Sequence, residues 1–332
     1  MQITMNQKTH KKILKIRYGL FDKYSNNNIL AAISGGQDSI YLIETIERIR
    51  KELLFTDNIK IKTSYIYIDH QWRKDSYRHI IHLTNYIKSI GNKIAIYQLS
   101  NKIKSEQQSR TYRYHIIIMY AVEHRFDLVV TGHNQTDKIE TFLYNLFRGC
   151  GTEGTTSLVI GSRINNITYL NRPLLNLNRN QIYWYCKKFR LPIWSDTTNY
   201  AYKVSRNRTR YELLPYLKNY FNQNIENTIY RVLTNYYNDN EYIKKNTIKL
   251  YLANIHTKYI AINYTQIIKQ DFSIQFKVLQ LFISHNVNIN MGSKEILGIL
   301  KKVNTETNDK QIEIKVDVVK MYLLENWIYL AI

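Results

Sequence analysis

Residues 29–39 constrain the fold more than any other stretch of the chain. The apolar run Ile29-Leu30-Ala31-Ala32-Ile33 passes directly into Ser34-Gly35-Gly36-Gln37-Asp38-Ser39, and an amphipathic run from Ile40 to Leu54 follows at once. That order reads as a strand, a tight turn and a helix start. Adjacent glycines let the backbone turn sharply and approach a ligand closely. Hydroxyls and main-chain N–H groups at a helix N-terminus offer hydrogen bonds to phosphate oxygens. On shape alone an ordinary strand-to-helix turn fits as well. No lysine follows the glycines, so the loop lacks the Gly-Lys-Ser/Thr with which a Walker-type loop reaches β- and γ-phosphates.

The pattern repeats through the first 200 residues. Apolar, β-branched runs at Ile29–Ile33, Tyr65–Ile68, Lys93–Leu99 and Leu128–Thr131 predict buried parallel strands, and Ile40–Leu54, Ser76–Ile90 and Glu106–His124 between them carry helical spacing. Leu42, Ile43, Ile46 and Ile49 fall on one face of the first helix. A further strand and helix are predicted at Ile167–Leu170 and Arg179–Phe189. The expectation is an α/β fold with a doubly wound parallel sheet. In such sheets ligands collect beyond the carboxyl ends of the strands, where Ser34–Ser39, Asp69–Trp72 and Gly132–Asp137 fall. Residues 209–250 read as helical with a break at Pro215, and the boundary is expected near Tyr216–Asn222. This gives a catalytic domain at 1–217 and a smaller helical, then α+β, part at 218–332. In that part Gln311–Val316 and Tyr322–Ile332 alternate like strands, with a hairpin turn at Asn326.

Composition narrows the function classes. The 332 residues carry a net charge of +21, which favours an anionic polymer as partner. Heavy use of Ile, Asn, Lys and Tyr with only 11 Gly and 3 Pro is what an AT-rich coding sequence would produce, so part of the lysine excess needs no functional reason. Two distant cysteines, Cys150 and Cys186, support neither a disulfide framework nor a Cys-x-x-Cys metal site. With no apolar run of about 18 residues, neither secretion nor membrane spanning is expected.

Gly132-His133-Asn134-Gln135-Thr136-Asp137-Lys138-Ile139-Glu140 is the second informative string. It leaves a predicted strand and enters a helix that Thr136 is suited to cap. His133, Asp137 and Glu140, spaced by four and three, share a face if the first turn is regular. One imidazole and two carboxylates together can hold an ammonium, bind a metal or move a proton. Carboxylates in a first turn are also favoured by the helix dipole without any function.

Ser34–Ser39 resembles the pyrophosphate loop of the PP-loop ATP-pyrophosphatases, whose fold is adenine nucleotide alpha hydrolase-like. The two strings are joined by Asn145-Leu146-Phe147-Arg148-Gly149, Arg172-Pro173-Leu174-Leu175, Asp196-Thr197-Thr198-Asn199 and the segment from Arg206 to Pro215. Together they resemble the tRNA(Ile)-lysidine synthases over roughly residues 29–217. The resemblance implies a ligase acting on tRNA(Ile) with a CAU anticodon, with ATP as co-substrate, Mg²⁺, and free L-lysine as the second substrate. It implies ATP binding by Ser34, Gly35, Gly36, Gln37, Asp38 and Ser39, with Asp38 also helping to hold Mg²⁺. Asp137 and Glu140 would bind lysine, while His133 and Arg113 join Asp38 and Asp137 as catalytic residues. Arg206, Arg208 and Arg210 would contact tRNA. Arg113 is equally at home as a helix-surface arginine, and Glu106 and Arg110 as a helical ion pair.

The sequence departs from the family pattern at His70-Gln71, where many relatives carry a glycine after the histidine, and at Gly151–Leu158. A tRNA thiolase is the nearest rival, but Cys150 and Cys186 do not form the cysteine pair that those enzymes generally use. A non-catalytic RNA-binding module is a more distant one. The coding bias fits a plastid stroma better than a bacterial cytoplasm, and a homodimer is among the oligomeric states left open.

Overall fold

The computed structural model of the chain describes residues 28–71, 76–99, 106–194, 205–289, 291–305, 312–316 and 319–331. The motif at Asp196–Asn199, together with Trp72 and Arg73, lies outside them.

The first elements are β1 (Asn28–Ile33), α1 (Gln37–Thr56), β2 (Lys62–Asp69), α2 (Ser76–Ser89), β3 (Lys93–Gln98), α3 (Glu106–Glu123), β4 (Leu128–Thr131) and α4 (Gln135–Phe147). After them come β5 (Gly161–Arg163), β6 (Tyr169–Asn171) and α5 (Arg179–Lys188). The sheet order is β3-β2-β1-β4-β6-β5. All neighbours are parallel except β5 with β6. In register, Ala31 lies opposite Tyr65 on one side and Val130 on the other.

Side-chain alternation along β1 divides the interior in two. Ile29, Ala31 and Ile33 face a core shared with Ile40, Ile43 and Ile46 of α1, Leu83 of α2 and Ile182 of α5. Leu30 turns the other way, onto Ile117 and Ala121 of α3. Each of the buried isoleucine and leucine side chains among these contributes roughly 1.5–3 kcal/mol of transfer free energy. The strands of successive units run outward from β1 in one direction to β3, then return across it to β4. The strand order therefore reverses between β1 and β4, and the loops after those two strands meet there.

Three local expectations need correction. β3 is an edge strand, with Ile96 and Tyr97 more than a third exposed, rather than a buried one. The antiparallel β5 was not foreseen, because Gly161-Ser162-Arg163 carries no apolar alternation. Pro215 does not break its helix. Residues 205–220 run on through a π-helical turn, Thr209–Leu213, in which Leu214 N–H donates to Thr209. That widened turn takes up the disruption a proline without N–H would otherwise cause. The chain turns instead at 221–224, before α6 (Ile225–Asn254).

The chain divides into two compact units, Met1–Leu233 and Thr234–Ile332. The boundary expected near Tyr216–Asn222 precedes this division. Ile229 and Leu233, early in α6, pack with Ile139, Phe142, Leu143 and Leu214, and so belong to the first unit. The second unit holds β7 (Ala261–Asn263), α7 (Phe272–Val287), α8 (Ser293–Thr305), β8 (Ile312–Val316), β9 (Val319–Leu324) and β10 (Trp327–Ala331). Its sheet order is β7-β10-β9-β8. Val278, Phe282, Ile296, Ile299, Met321 and Ile328 are among its core residues. The hairpin expected at Asn326 is present: Leu324 pairs with Trp327, and Glu325 takes φ 49° in the two-residue turn.

Candidate active site

The loop after β1 is drawn tight by its own hydroxyls. Ser34 N–H donates to Ser39 Oγ at 2.9 Å, and the two serine hydroxyls are also 2.9 Å apart. Gly35 has φ +72°, and a Cβ there would fall 2.0 Å from Nε2 of the buried His79 on α2. Only glycine satisfies both the backbone and the space. Gly36 is the N-cap of α1 and has no side chain to satisfy the first-turn N–H groups, which suits them to an anionic ligand. Gln37 Nε2 donates to the carbonyl of Arg179 at 3.2 Å, fastening the loop to the start of α5.

The loop after β4 comes directly against it. A Cβ on Gly132 would lie 3.4 Å from the Asp38 carbonyl carbon, so the glycine lets the two loops touch. Asn134, rather than Thr136, caps α4. Its Oδ1 accepts from Asp137 N–H at 3.0 Å, and Asp137 Oδ2 accepts from Asn134 N–H at 3.0 Å, a reciprocal capping box. Thr136 sits in the first turn and accepts from Arg179 N–H at 3.4 Å. His133 precedes the cap and so does not share the helical face of Asp137 and Glu140. Its Nδ1 pairs with Thr131 Oγ1 at 2.9 Å, and its ring stacks on Tyr114 with centroids 6.5 Å apart.

Asp137 and Glu140 do converge, one turn apart, and both are buried. Arg210, from the π-helical turn, lies on them. Its Nε donates to Glu140 Oε1 at 2.5 Å, and its Nη2 to Glu140 Oε2 at 2.9 Å and Asp137 Oδ1 at 3.1 Å. Arg210 was expected to face tRNA; it is instead the counter-ion of the acidic pair. Asp38 completes the cluster. Burial first, and the charge of Asp137 second, raise its pKa to about 6, against the opposing pull of Arg179 and Arg210. Among the described residues Asp38 Oδ1 is buried without a hydrogen-bond partner.

Arg113 is half-buried on α3, close enough to His70 to add to the lowering of its pKa that burial begins. Arg208 is exposed and pairs with Glu212 at 3.1 Å. The side chain of Arg206 lies outside the described residues. Cys186 is buried on α5 and its pKa is pushed up to about 12, first by burial and then by the charge of Asp38, whereas Cys150 is exposed. The cysteines therefore offer no paired thiolate. Sequence reasoning missed Asn134 as the cap, Arg179 as the tie between the two loops, and His79 behind Gly35. Asn134 was legible, since Asn-x-x-Asp before an apolar run is itself a capping signal. The other two contacts join residues 43 or more positions apart and carry no local signature.

Residues 5–217 match the family model described as a PP-loop domain. The chain is 44% identical over 325 residues to a chloroplastic tRNA(Ile)-lysidine synthase of Gracilaria tenuistipitata var. liui, covering 97% of this chain and 98% of that protein. It is 34% identical to the chloroplastic enzyme of the same name from Pyropia yezoensis, over 84% of this chain and 83% of that one. It is 35% identical to a tRNA(Ile)-lysidine synthase of a Nostoc strain, over 68% and 64%. Among solved structures, the U34-tRNA thiolase NcsA from Methanococcus maripaludis, with its 4Fe-4S cluster, superposes with a TM-score of 0.56. That match has 15% identity and covers 68% of this chain and 78% of that one, a likeness of fold.

Proposed function

The chain belongs to the tRNA(Ile)-lysidine synthase family, and from that membership we propose how its residues divide the reaction. The enzyme is a ligase. It uses ATP to join lysine to C2 of the wobble cytidine in the CAU anticodon of AUA-specific tRNA(Ile), through an adenylated cytidine, changing the tRNA's identity from methionine to isoleucine. In the first step the cytosine O2 attacks the α-phosphorus and pyrophosphate leaves. In the second the lysine ε-amine attacks C2 and AMP leaves.

In this proposal the Ser34–Ser39 loop holds the pyrophosphate portion of ATP through the first-turn N–H groups of α1 and the paired serine hydroxyls. Asp38 holds Mg²⁺. The partnerless buried Oδ1 and the raised pKa mark a carboxylate that gains from a cation. Among the described residues no group of three or more His, Cys, Asp or Glu side chains is placed to hold a metal ion, so Asp38 would hold Mg²⁺ as the partner of bound ATP. Mg²⁺ bound there supplies charge neutralisation for the leaving pyrophosphate.

Asp137 and Glu140 bind the lysine ammonium and ease the loss of its proton, because only the neutral amine is a nucleophile. The observation that carries this reading is the buried pair Asp137 and Glu140 under a single guanidinium, that of Arg210: two carboxylates facing one cation leave one negative charge for an ammonium. His133 orients the α-phosphate or the adenylated base, and Arg113 binds a phosphate or the developing negative charge. Arg206 and Arg208 clamp tRNA phosphates at the mouth of the site, and residues 218–332 extend that contact, supported by the +21 charge. The enzyme works in a plastid stroma, in line with the chloroplastic names of two relatives.

A burst experiment tests the division into steps. Pyrophosphate release should require ATP and tRNA but not lysine in the first turnover, and should need lysine thereafter. Release that needs lysine from the outset would overturn the proposed order.

A further inference from the structure

We propose that the exposed aromatic groove between the C-terminal half of α4 and residues 205–220 receives the bases that flank the wobble cytidine, a role that rests on the tRNA reading above. The groove encloses about 520 Å³ and includes Tyr144, Phe147, Arg208, Glu212 and Tyr216 in its lining. Large rings in contact with water are costly unless something covers them, and here three gather: Tyr144 is 41% exposed, Phe147 67% and Tyr216 53%.

Geometry ties the groove to the chemistry. Asp137, Glu140, Tyr144 and Phe147 follow one another at spacings of three, four and three, so they form one stripe along α4. The helical rise places Tyr144 about 6 Å and Phe147 about 10 Å beyond Glu140, the reach of the one or two nucleotides next to a base held at the acidic pair. The opposite wall uses the same economy. Arg210, on the acidic pair, and Arg208, Glu212 and Tyr216, in the groove, all belong to the 205–220 run. A strand of RNA entering with its cytidine beside the lysine at Asp137 and Glu140 is thus led along the rings.

The chemistry of the walls selects the occupant. Enzymes that act on a base draw it out of its stack, which leaves the neighbouring bases with bare faces. Aromatic side chains beside cations are the usual platform for such faces. Arg148 lies with its guanidinium carbon 5.3 Å from the Tyr144 ring centroid, and Arg208 borders the groove, exposed and held by a surface ion pair with Glu212 that a phosphate can replace.

The test pairs protein and RNA deletions. Lysine incorporation is measured for the wild type and for Tyr144→Ala, Phe147→Ala and Tyr216→Ala, on an anticodon stem-loop and on the same RNA made abasic at each neighbour of the wobble cytidine. The proposal expects each truncation to raise KM for the RNA about tenfold, without a matching rise in KM for ATP. It expects one abasic site to cost the wild type a similar factor but the cognate alanine variant little more, and Tyr144→Phe to recover most of what Tyr144→Ala loses. Unchanged KM for RNA in all three variants overturns the groove as an RNA site. A fall in oligomeric mass with no change in RNA affinity assigns it to an interface between copies of the chain instead. If the wild type incorporates no lysine, the functional reading fails, and stem-loop binding by fluorescence anisotropy with the same variants still decides the groove.

Discussion

Arg210 holds Glu140 with two hydrogen bonds, from Nε at 2.5 Å and from Nη2 at 2.9 Å, and the glutamate is fully buried beneath it. A bidentate guanidinium–carboxylate pair is strong and directional. Removing one partner of a buried pair leaves an uncompensated charge, which typically costs about 3–5 kcal/mol. Arg210→Ala should therefore melt well below the wild type. If Asp137 and Glu140 form the lysine site, free L-lysine should raise the melting temperature of Arg210→Ala more than that of the wild type, because its ammonium then fills the vacated place. Equal shifts would remove the ammonium from this pair.

Glu140→Gln should spare adenylation and damage lysine transfer. The amide keeps the size of the side chain but neither pairs with an ammonium nor takes its proton. Adenylated tRNA should accumulate in single-turnover experiments, with transfer slowed by about 10²-fold or more. Equal loss of both steps would refute the division of roles between Asp38 and Glu140.

Asp38 should impose a pH limit on nucleotide binding. Its folded pKa, about 6, is raised well above the ordinary aspartate range chiefly by burial, so protonation in the native state competes with Mg²⁺ below pH 6. KM for MgATP should rise as pH falls through 6. The sign for stability is opposite to that of a salt-bridged aspartate: the native state holds this proton more tightly than the unfolded chain, so stability falls as pH rises from about 4 to 6 and is then level. Asp38→Asn should accordingly be at least as stable as the wild type at pH 7 yet inactive in adenylation. A less stable Asp38→Asn protein would show that the carboxylate is a structural anchor.

Gly35→Ala should disturb ATP binding through two separable causes. A β-carbon at φ +72° costs roughly 1–2 kcal/mol, and it also strikes the His79 ring. The double variant Gly35→Ala/His79→Ala should regain part of the lost ATP affinity, leaving the backbone cost behind. No recovery at all would mean that His79 yields without cost. Neither substitution bears on Arg208. For Arg208→Ala, the slope of log K against log salt for tRNA binding should decrease by about one phosphate contact.

The sequence carried the fold wherever it is written in short-range pattern. The β-branched runs of β1, β2 and β4 and the glycine loop between β1 and α1 were all legible, and with them the meeting point of the site. The edge position of β3 was not, since its alternation matches a buried strand until neighbours are known. Pro215 misled because a proline reads as a break, and the π-helical turn that accommodates it depends on packing of Leu214 against α4. At the site, the spacing of Asp137 and Glu140 gave their common face, but the placement of Arg210 on them depends on how a segment 70 residues later folds back. Three arginines at alternate positions looked alike in sequence. Structure separates two of them, Arg208 in water and Arg210 on the acids.

The central claim is that this chain makes lysidine, and the most direct measurement is transfer of radiolabelled lysine to an unmodified CAU-anticodon tRNA(Ile) transcript with ATP and Mg²⁺, beside a methionine tRNA carrying the same anticodon. The account predicts incorporation into the isoleucine tRNA alone, abolished by Asp38→Ala. Absence of incorporation by folded protein that binds ATP, or equal labelling of both tRNAs, would contradict it.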